Sequence, residues 1–240
     1  MMITHTHDKR VVALLLAGGM GTRFSALRPK QYIEVDGLPI IAYTMRAFER
    51  HMEVTDIYVV CMPQWEDYMG EVAMKTGLKK YRGSLPSGDT SFESLANGIR
   101  GLSEAGLPED SIILVHDAVR PLVSQATITD NISTCRYHGS AITVVYSNEA
   151  YMEVDGSNHS VGFAPRERFM RAQTPHTFPL ATLCSMMHEA RERGITCSQS
   201  LFTLANELGR TPLYIAQGET TNLKITRPED LRIFRALVND

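Results

Sequence analysis

A chain of 240 residues with 43% hydrophobic and 21% charged residues has an ordinary globular composition, which excludes a disordered or fibrous class. Lys and Arg (24) nearly balance Asp and Glu (27), and a net charge of -3 supplies no general field for gripping a nucleic-acid backbone. No nucleic-acid partner is expected, any anion site must be local, and the length suits one domain over residues 1–240.

The polar start MMITHTHDKR leads into an apolar run too short for a signal segment and far below the roughly 20 residues that span a bilayer. His5 and His7 read as a solvated terminus rather than a metal pair. Cys61, Cys135, Cys184 and Cys197 are scattered without a C-x-x-C pair, which fits a reducing compartment. The expectation is a cytoplasmic protein with no membrane partner.

VVALLLA (11–17) is a continuous apolar run, as in a strand buried on both faces, and it ends in Gly18, Gly19 and Gly21 with Arg23 just beyond. IIAYTMRAFERH (40–51) spaces Ile41, Met45 and Phe48 as one helix face. IYVVCM (57–62) predicts a second buried strand, SFESLANGIRGLSEAG (91–106) a helix through Leu95, Ile99 and Leu102, and IILVH (112–116) a third strand. AITVVY begins at residue 141, and NEAYMEVDGSNHSVGF then offers two extended stretches around Asp155, Gly156, Ser157 and Asn158. That pattern predicts a hairpin projecting as an arm over about 144–166. Helical patterns follow at 179–193 and 198–209, then LYIAQG and TNLKI as late strands, then a helix starting on Pro228. The fold class is therefore α/β: a Rossmann-like, mainly parallel sheet flanked by helices, with a β-hairpin arm.

Glycines at a strand end put bare backbone N–H groups at the carboxyl edge of the sheet, where open α/β folds bind ligands. The segment is no dinucleotide fingerprint, because Phe24 occupies the third glycine position, and no P-loop, because G-K-[ST] is absent. A tight turn with solvated charges is the plainer reading of such a loop alone. Arg23 and Lys30, in Pro29-Lys30-Gln31, add the guanidinium and ammonium that suit a polyphosphate. In VHDAVRP (115–121) Asp117 either holds Mg²⁺ or a substrate hydroxyl, or caps the next helix. In NLKITRPEDL (222–231) Lys224 either snorkels from an apolar strand or acts. Three such elements at three strand ends point to one shared pocket.

LAGGMGTRF, PKQY, VHDAVRP, QTPHTF (173–178) and NLKITRPEDL, in this order and spacing, resemble the cytidylyltransferases of the 2-C-methyl-D-erythritol 4-phosphate and ribitol-5-phosphate type. The likeness runs from Val11 to about Ala236 and implies that CTP and a polyol phosphate give a CDP-polyol and pyrophosphate, with Mg²⁺ or another divalent cation as cofactor. It implies that Ala17, Gly18 and Gly19 line the nucleotide, that Arg23 and Lys30 hold the triphosphate and steady the transition state, and that Lys224 serves it from the opposite wall. Gly88, Asp89 and Ser94 match positions for cytosine and ribose. Asp117 would face the metal and the acceptor, with Arg120 buttressing its loop. Arg166 would reach from the hairpin arm of one subunit to the acceptor phosphate in another, so a homodimer is implied.

The chain departs from the family pattern at Ser91, where an arginine is usual, at Thr196-Cys197-Ser198-Gln199, where an acidic pair is common, and at Asn148-Glu149 in place of Asp-Thr. All three alter charge, two of them on the acceptor side. GMGTRF and HDAVRP lean toward the ribitol-type branch, with the methylerythritol phosphate enzyme as the alternative. Two further readings stay open: a nucleotide-binding paralogue that has lost its chemistry, and a hexose-phosphate nucleotidyltransferase using UTP or GTP, disfavoured by length and by HDAVRP.

Overall fold

In the computed structural model, residues 10–19 and 28–238 are described. Gly21, Arg23 and Phe24 of the glycine segment, like His5 and His7, lie outside the described residues.

The first apolar run forms β1 (Val11–Leu16), and its continuous hydrophobicity has a direct cause. Val11, Ala13 and Leu15 face one helical layer while Val12 and Leu14 face the other, so neither face meets water. A 3-10 turn at Lys30–Tyr32 leads to a small ribbon, β2 (Glu34–Val35) and β3 (Leu38–Pro39), and then to α1 (Ile40–Arg50). There follow β4 (Asp56–Cys61), α2 (Glu66–Thr76), β5 (Tyr81–Pro86), α3 (Ser91–Glu104) and β6 (Ile112–Asp117). The second half runs α4 (Gln125–His138), β7 (Ala141–Tyr146), the hairpin β8 (Tyr151–Val154) and β9 (Ser160–Ala164), and β10 (Met170–Pro179). It closes with α5 (Leu180–Glu192), α6 (Leu201–Glu207), β11 (Ile215–Gln217) and α7 (Pro228–Val238).

The central sheet has seven strands in the order β11-β7-β10-β6-β1-β4-β5. β10 runs antiparallel to both of its neighbours, and the remaining pairings are parallel. One face packs on Ile41, Met45 and Phe48 of α1, with α2 and α4 beside it; the other packs on Leu95, Ile99 and Leu102 of α3, with α5 and α6. Both predicted helix faces are buried as their spacing requires, each large side chain contributing about 1.5–3 kcal/mol. Among the described residues no helix is long and apolar enough to cross a membrane.

The structure departs from the sequence reading in two places and decides between two open readings in a third. NLKI forms no strand: residues 222–226 are held by the Arg120 and Asn222 side chains and by the Ile225 N–H on the Val119 carbonyl. Residues 144–146 belong to β7 in the sheet, so the free hairpin begins at Tyr151. Asp117 caps no helix, since α4 starts at Gln125 and is capped by Ser124, whose hydroxyl accepts from the Thr127 N–H. In addition α2, β5, α4 and β10 have no clear pattern of their own. β10 carries prolines and polar residues and is a strand because β6 and β7 pair with it.

Candidate active site

The carboxyl ends of β1, β5 and β6 open onto one cavity of about 640 Å³, within the range of small-molecule sites. At the end of β1, the Ala17 N–H continues the ladder to the Val60 carbonyl, and the chain then leaves the sheet through Gly18 and Gly19. Gln31, buried beside Lys30, turns its amide back: Nε2 donates to the Ala17 carbonyl at 2.6 Å and to the Gly19 carbonyl at 3.0 Å. A methyl group on Gly18 would lie 2.6 Å from Cβ of Ser87, whereas one on Gly19 would meet none of the described residues within 4 Å.

The second wall is the loop between β5 and α3. Ser94 Oγ accepts from the Gly88 N–H at 3.0 Å and donates to the Gly88 carbonyl at 3.3 Å, which closes the loop on itself. Thr90 and Glu93 form a reciprocal cap at the start of α3, and Glu93 also accepts from the Asp89 N–H at 2.8 Å. These bonds hold Asp89 and Ser91 on the cavity rim.

The third wall carries the charges. Asp117 Oδ2 accepts from Arg120 Nε at 3.0 Å, and Oδ1 accepts from Lys224 Nζ at 3.2 Å. Arg120 also donates to the Asn222 carbonyl at 2.8 Å, and the Asn222 amide donates to the Thr174 carbonyl at 2.9 Å. Thr174 is there because the register of β10 against β7 shifts between Ala172 and His176, which turns Gln173 and Thr174 into the cavity. Burial raises the Asp117 carboxyl, but Lys224 and Arg120 outweigh it and hold the group well below the usual carboxylate range.

His116 sits beneath this wall, fully buried. Its Nε2 lies 3.1 Å from the Arg120 carbonyl, which can only accept, so Nε2 carries the proton. Nδ1 then accepts from the Thr174 hydroxyl at 3.1 Å, whose oxygen accepts from the Asp117 N–H at 3.0 Å. Burial brings His116 down to about 4 and His176 likewise to about 4. The unfolded chain therefore binds more protons than the folded one between pH 6.5 and 4, and stability is lost as pH falls through that window. The unfolding free energy is expected to drop by up to about 1.4 kcal/mol per pH unit for each histidine. Urea midpoints at pH 7, 6 and 5 measure this; a flat profile would mean that neither histidine is held neutral.

Ala17, Gly18, Gly19, Lys30, Gly88, Asp89, Ser94, Asp117, Arg120 and Lys224, all named from the sequence, line this single cavity. Arg166 does not: it sits on an exposed 3-10 turn after the hairpin, its Nε 3.5 Å from Glu167 Oε1. Arg23 lies outside the described residues. Lys224, expected on the wall opposite Arg23 and Lys30, forms an ion pair with Asp117. Of the departures from the family pattern, Ser91, Ser198 and Gln199 line the cavity, while Asn148 and Glu149 are exposed outside it. Gln31, Thr174 and Asn222 were missed as site residues. Each stood in a quoted motif, but a neutral amide or hydroxyl does not advertise which carbonyl it will find.

Comparison with known proteins gives a consistent picture. The family profile described as "IspD: 2-C-methyl-D-erythritol 4-phosphate cytidylyltransferase" matches residues 11–240. The chain is 34% identical over 229 residues to a ribitol-5-phosphate cytidylyltransferase of Vibrio parahaemolyticus, covering 95% of each protein. It is 34% identical over 225 residues to a 2-C-methyl-D-erythritol 4-phosphate cytidylyltransferase of Bifidobacterium longum subsp. infantis, covering 92% of this chain and 77% of that protein. Among solved structures, 4-diphosphocytidyl-2C-methyl-D-erythritol synthase from Anaerococcus prevotii superposes with a TM-score of 0.82 at 24% identity, covering 97% of each chain, a likeness of fold.

Proposed function

The chain belongs to the 2-C-methyl-D-erythritol 4-phosphate cytidylyltransferase (IspD) family, and we propose that it converts CTP and D-ribitol 5-phosphate to the CDP-polyol and pyrophosphate. It is a cytidylyltransferase. The observation that carries the reading is the convergence of Gly18, Gly19 and Lys30 with Asp117, Arg120 and Lys224 on one cavity at the strand ends. The choice of acceptor rests on the ribitol-5-phosphate relatives.

In this reading an oxygen of the acceptor's phosphate monoester attacks the α-phosphorus of CTP. The new P–O bond forms as the bond to the β-phosphate oxygen breaks, and pyrophosphate leaves with that electron pair. A monoester oxygen is already nucleophilic near neutral pH, so the protein supplies position and positive charge rather than a base. Asp117, held ionised by its two cations, is suited to aim Lys224 and not to take a proton. Lys30 and Lys224 face the developing charge from two walls, and Arg23 joins them in the proposal. Gly88, Asp89 and Ser94 receive the nucleoside.

Mg²⁺ belongs to the proposal. Asp89 and Asp117 are the acidic side chains among the described lining residues, and no trio of His, Cys, Asp or Glu that would hold a metal forms among the described residues. In this donor set Asp117 would be the protein contact for such an ion. When bound, it neutralises charge on the phosphates. A homodimer through the arm is likewise proposed: Met152 is 67% and Phe163 78% exposed on the hairpin, and Arg166 beside it is not among the described residues that line the cavity.

An assay of CTP with ribitol 5-phosphate and, separately, with 2-C-methyl-D-erythritol 4-phosphate tests the reading. CDP-ribitol and pyrophosphate are the expected products; turnover of the second substrate alone reassigns the acceptor, and turnover of neither sinks both. A glycine pair separates packing from ligand approach. Gly18→Ala is expected to lower the melting temperature, because Ser87 must move, while Gly19→Ala leaves it unchanged. Any loss of CTP affinity in Gly19→Ala then reports the nucleotide's approach to the backbone, and a drop in its melting temperature would contradict the space that the described residues leave around it.

A further inference from the structure

Gln31 is a polar side chain only 2% exposed, placed immediately after Lys30 on a rigid turn. The turn is clamped from behind: the Tyr32 ring is fully buried, stacks on Trp65 at 4.2 Å and meets the edge of Tyr68 at 5.6 Å. The Arg28 guanidinium lies over Trp65 and Tyr68 at 5.7 and 5.6 Å. The Tyr32 and Ile33 N–H groups close the turn on the Pro29 and Lys30 carbonyls at 3.0 and 3.1 Å. From this anchored base Gln31 reaches forward and takes the Ala17 and Gly19 carbonyls with one amide nitrogen.

Those two bonds have a directional consequence. In a trans peptide the carbonyl and the following N–H point opposite ways, so a carbonyl drawn toward Gln31 turns the Gly18 N–H away from it. Without the amide, two carbonyl oxygens would be free to face the approaching anion, and a bare carbonyl repels phosphate as an N–H attracts it. The same side chain ties the glycine loop to the turn that carries Lys30, so amide cradle and ammonium keep one spacing.

We propose that Gln31 is a positioning residue of the phosphate site: it withdraws the Ala17 and Gly19 carbonyls so that the loop presents peptide N–H groups, in register with Lys30, to the triphosphate of the nucleotide. This rests on the reading of the cavity as a CTP site. Gln31→Met keeps the length of the side chain and removes the donor. By calorimetry it is expected to weaken CTP and inorganic tripolyphosphate alike, by about tenfold, the scale of one to two lost hydrogen bonds, and to leave cytidine binding unchanged. In steady state kcat falls and the KM for CTP rises, while the KM for the acceptor stays where it was. Gln31→Asn, one methylene shorter, is a milder second variant that keeps the test alive if the first does not fold, and it is expected to shift the same two ligands in the same direction. Unchanged affinity for CTP and tripolyphosphate overturns the role of Gln31 alone, as does an equal loss of cytidine affinity, which marks general damage. A wild-type protein that binds neither CTP nor tripolyphosphate overturns this role and the CTP reading together.

Discussion

Replacing Lys30 with alanine is expected to lower turnover by roughly 10² or more, the scale for removing one preorganised group that stabilises developing charge. Lys30 lies on the cavity wall at the start of a turn closed by backbone bonds and anchored by the buried Tyr32. The fold should therefore survive, with a melting curve close to that of the unaltered protein. If the ammonium acts on charge that grows as pyrophosphate departs, kcat falls further than the KM for CTP rises. Pyrophosphate release measured against CTP and acceptor concentration gives both numbers. Undiminished turnover would remove Lys30 from the chemistry and with it half of the case for a charged cradle around the nucleotide.

Asp117→Asn is expected to damage stability as well as rate. The carboxylate is 20% exposed and holds Arg120, itself 12% exposed, together with the 43% exposed Lys224. The Lys224 pair is screened by water and contributes little on its own, whereas Arg120 would be left buried without its partner charge. A loss of about 3 kcal/mol follows for breaking a largely buried pair of this kind. Freed from Asp117, Lys224 also loses its aim, so turnover falls with stability.

The pH dependence gives a second, independent reading of Asp117. Its folded value is depressed below the ordinary one of about 3.9, so its contribution is complete above that value and lost as pH falls toward the folded one. The difference in urea midpoint between the wild type and Asp117→Asn should thus be constant from pH 7 to 5 and shrink below pH 4. A difference that persists undiminished in acid would show that shape rather than charge makes this residue matter.

What could be read along the chain was whatever depends on local spacing. Continuous apolar runs marked β1, β4 and β6, because strands covered on both faces need no polar alternation, and the spacing of Ile41, Met45 and Phe48 marked α1. Glycines and Asp117 at the ends of such strands, with Lys30 in the motif that follows the first of them, marked the cavity, since strand ends on one side of a parallel sheet converge. Burial patterns and strand-end chemistry are properties of a few neighbouring residues, and so they survive in one dimension.

Tertiary structure decided the rest. β10 is a strand because β6 and β7 offer it unpaired backbone, and its bulge, rather than any local signal, delivers Thr174 to the site. Residues 222–226 look like a strand and are none, because their partners are the Arg120 side chain, the Thr174 carbonyl and the Val119 carbonyl rather than a neighbouring strand. Lys224 meets Asp117 across 107 positions of sequence, and Gln31 spends its amide on carbonyls 14 and 12 positions away. Sequence by itself determined which groups would be buried and which strand ends would carry charge. Only the folded chain decided their partners, because a hydrogen bond or ion pair is set by distance in space, which spacing along the chain does not encode.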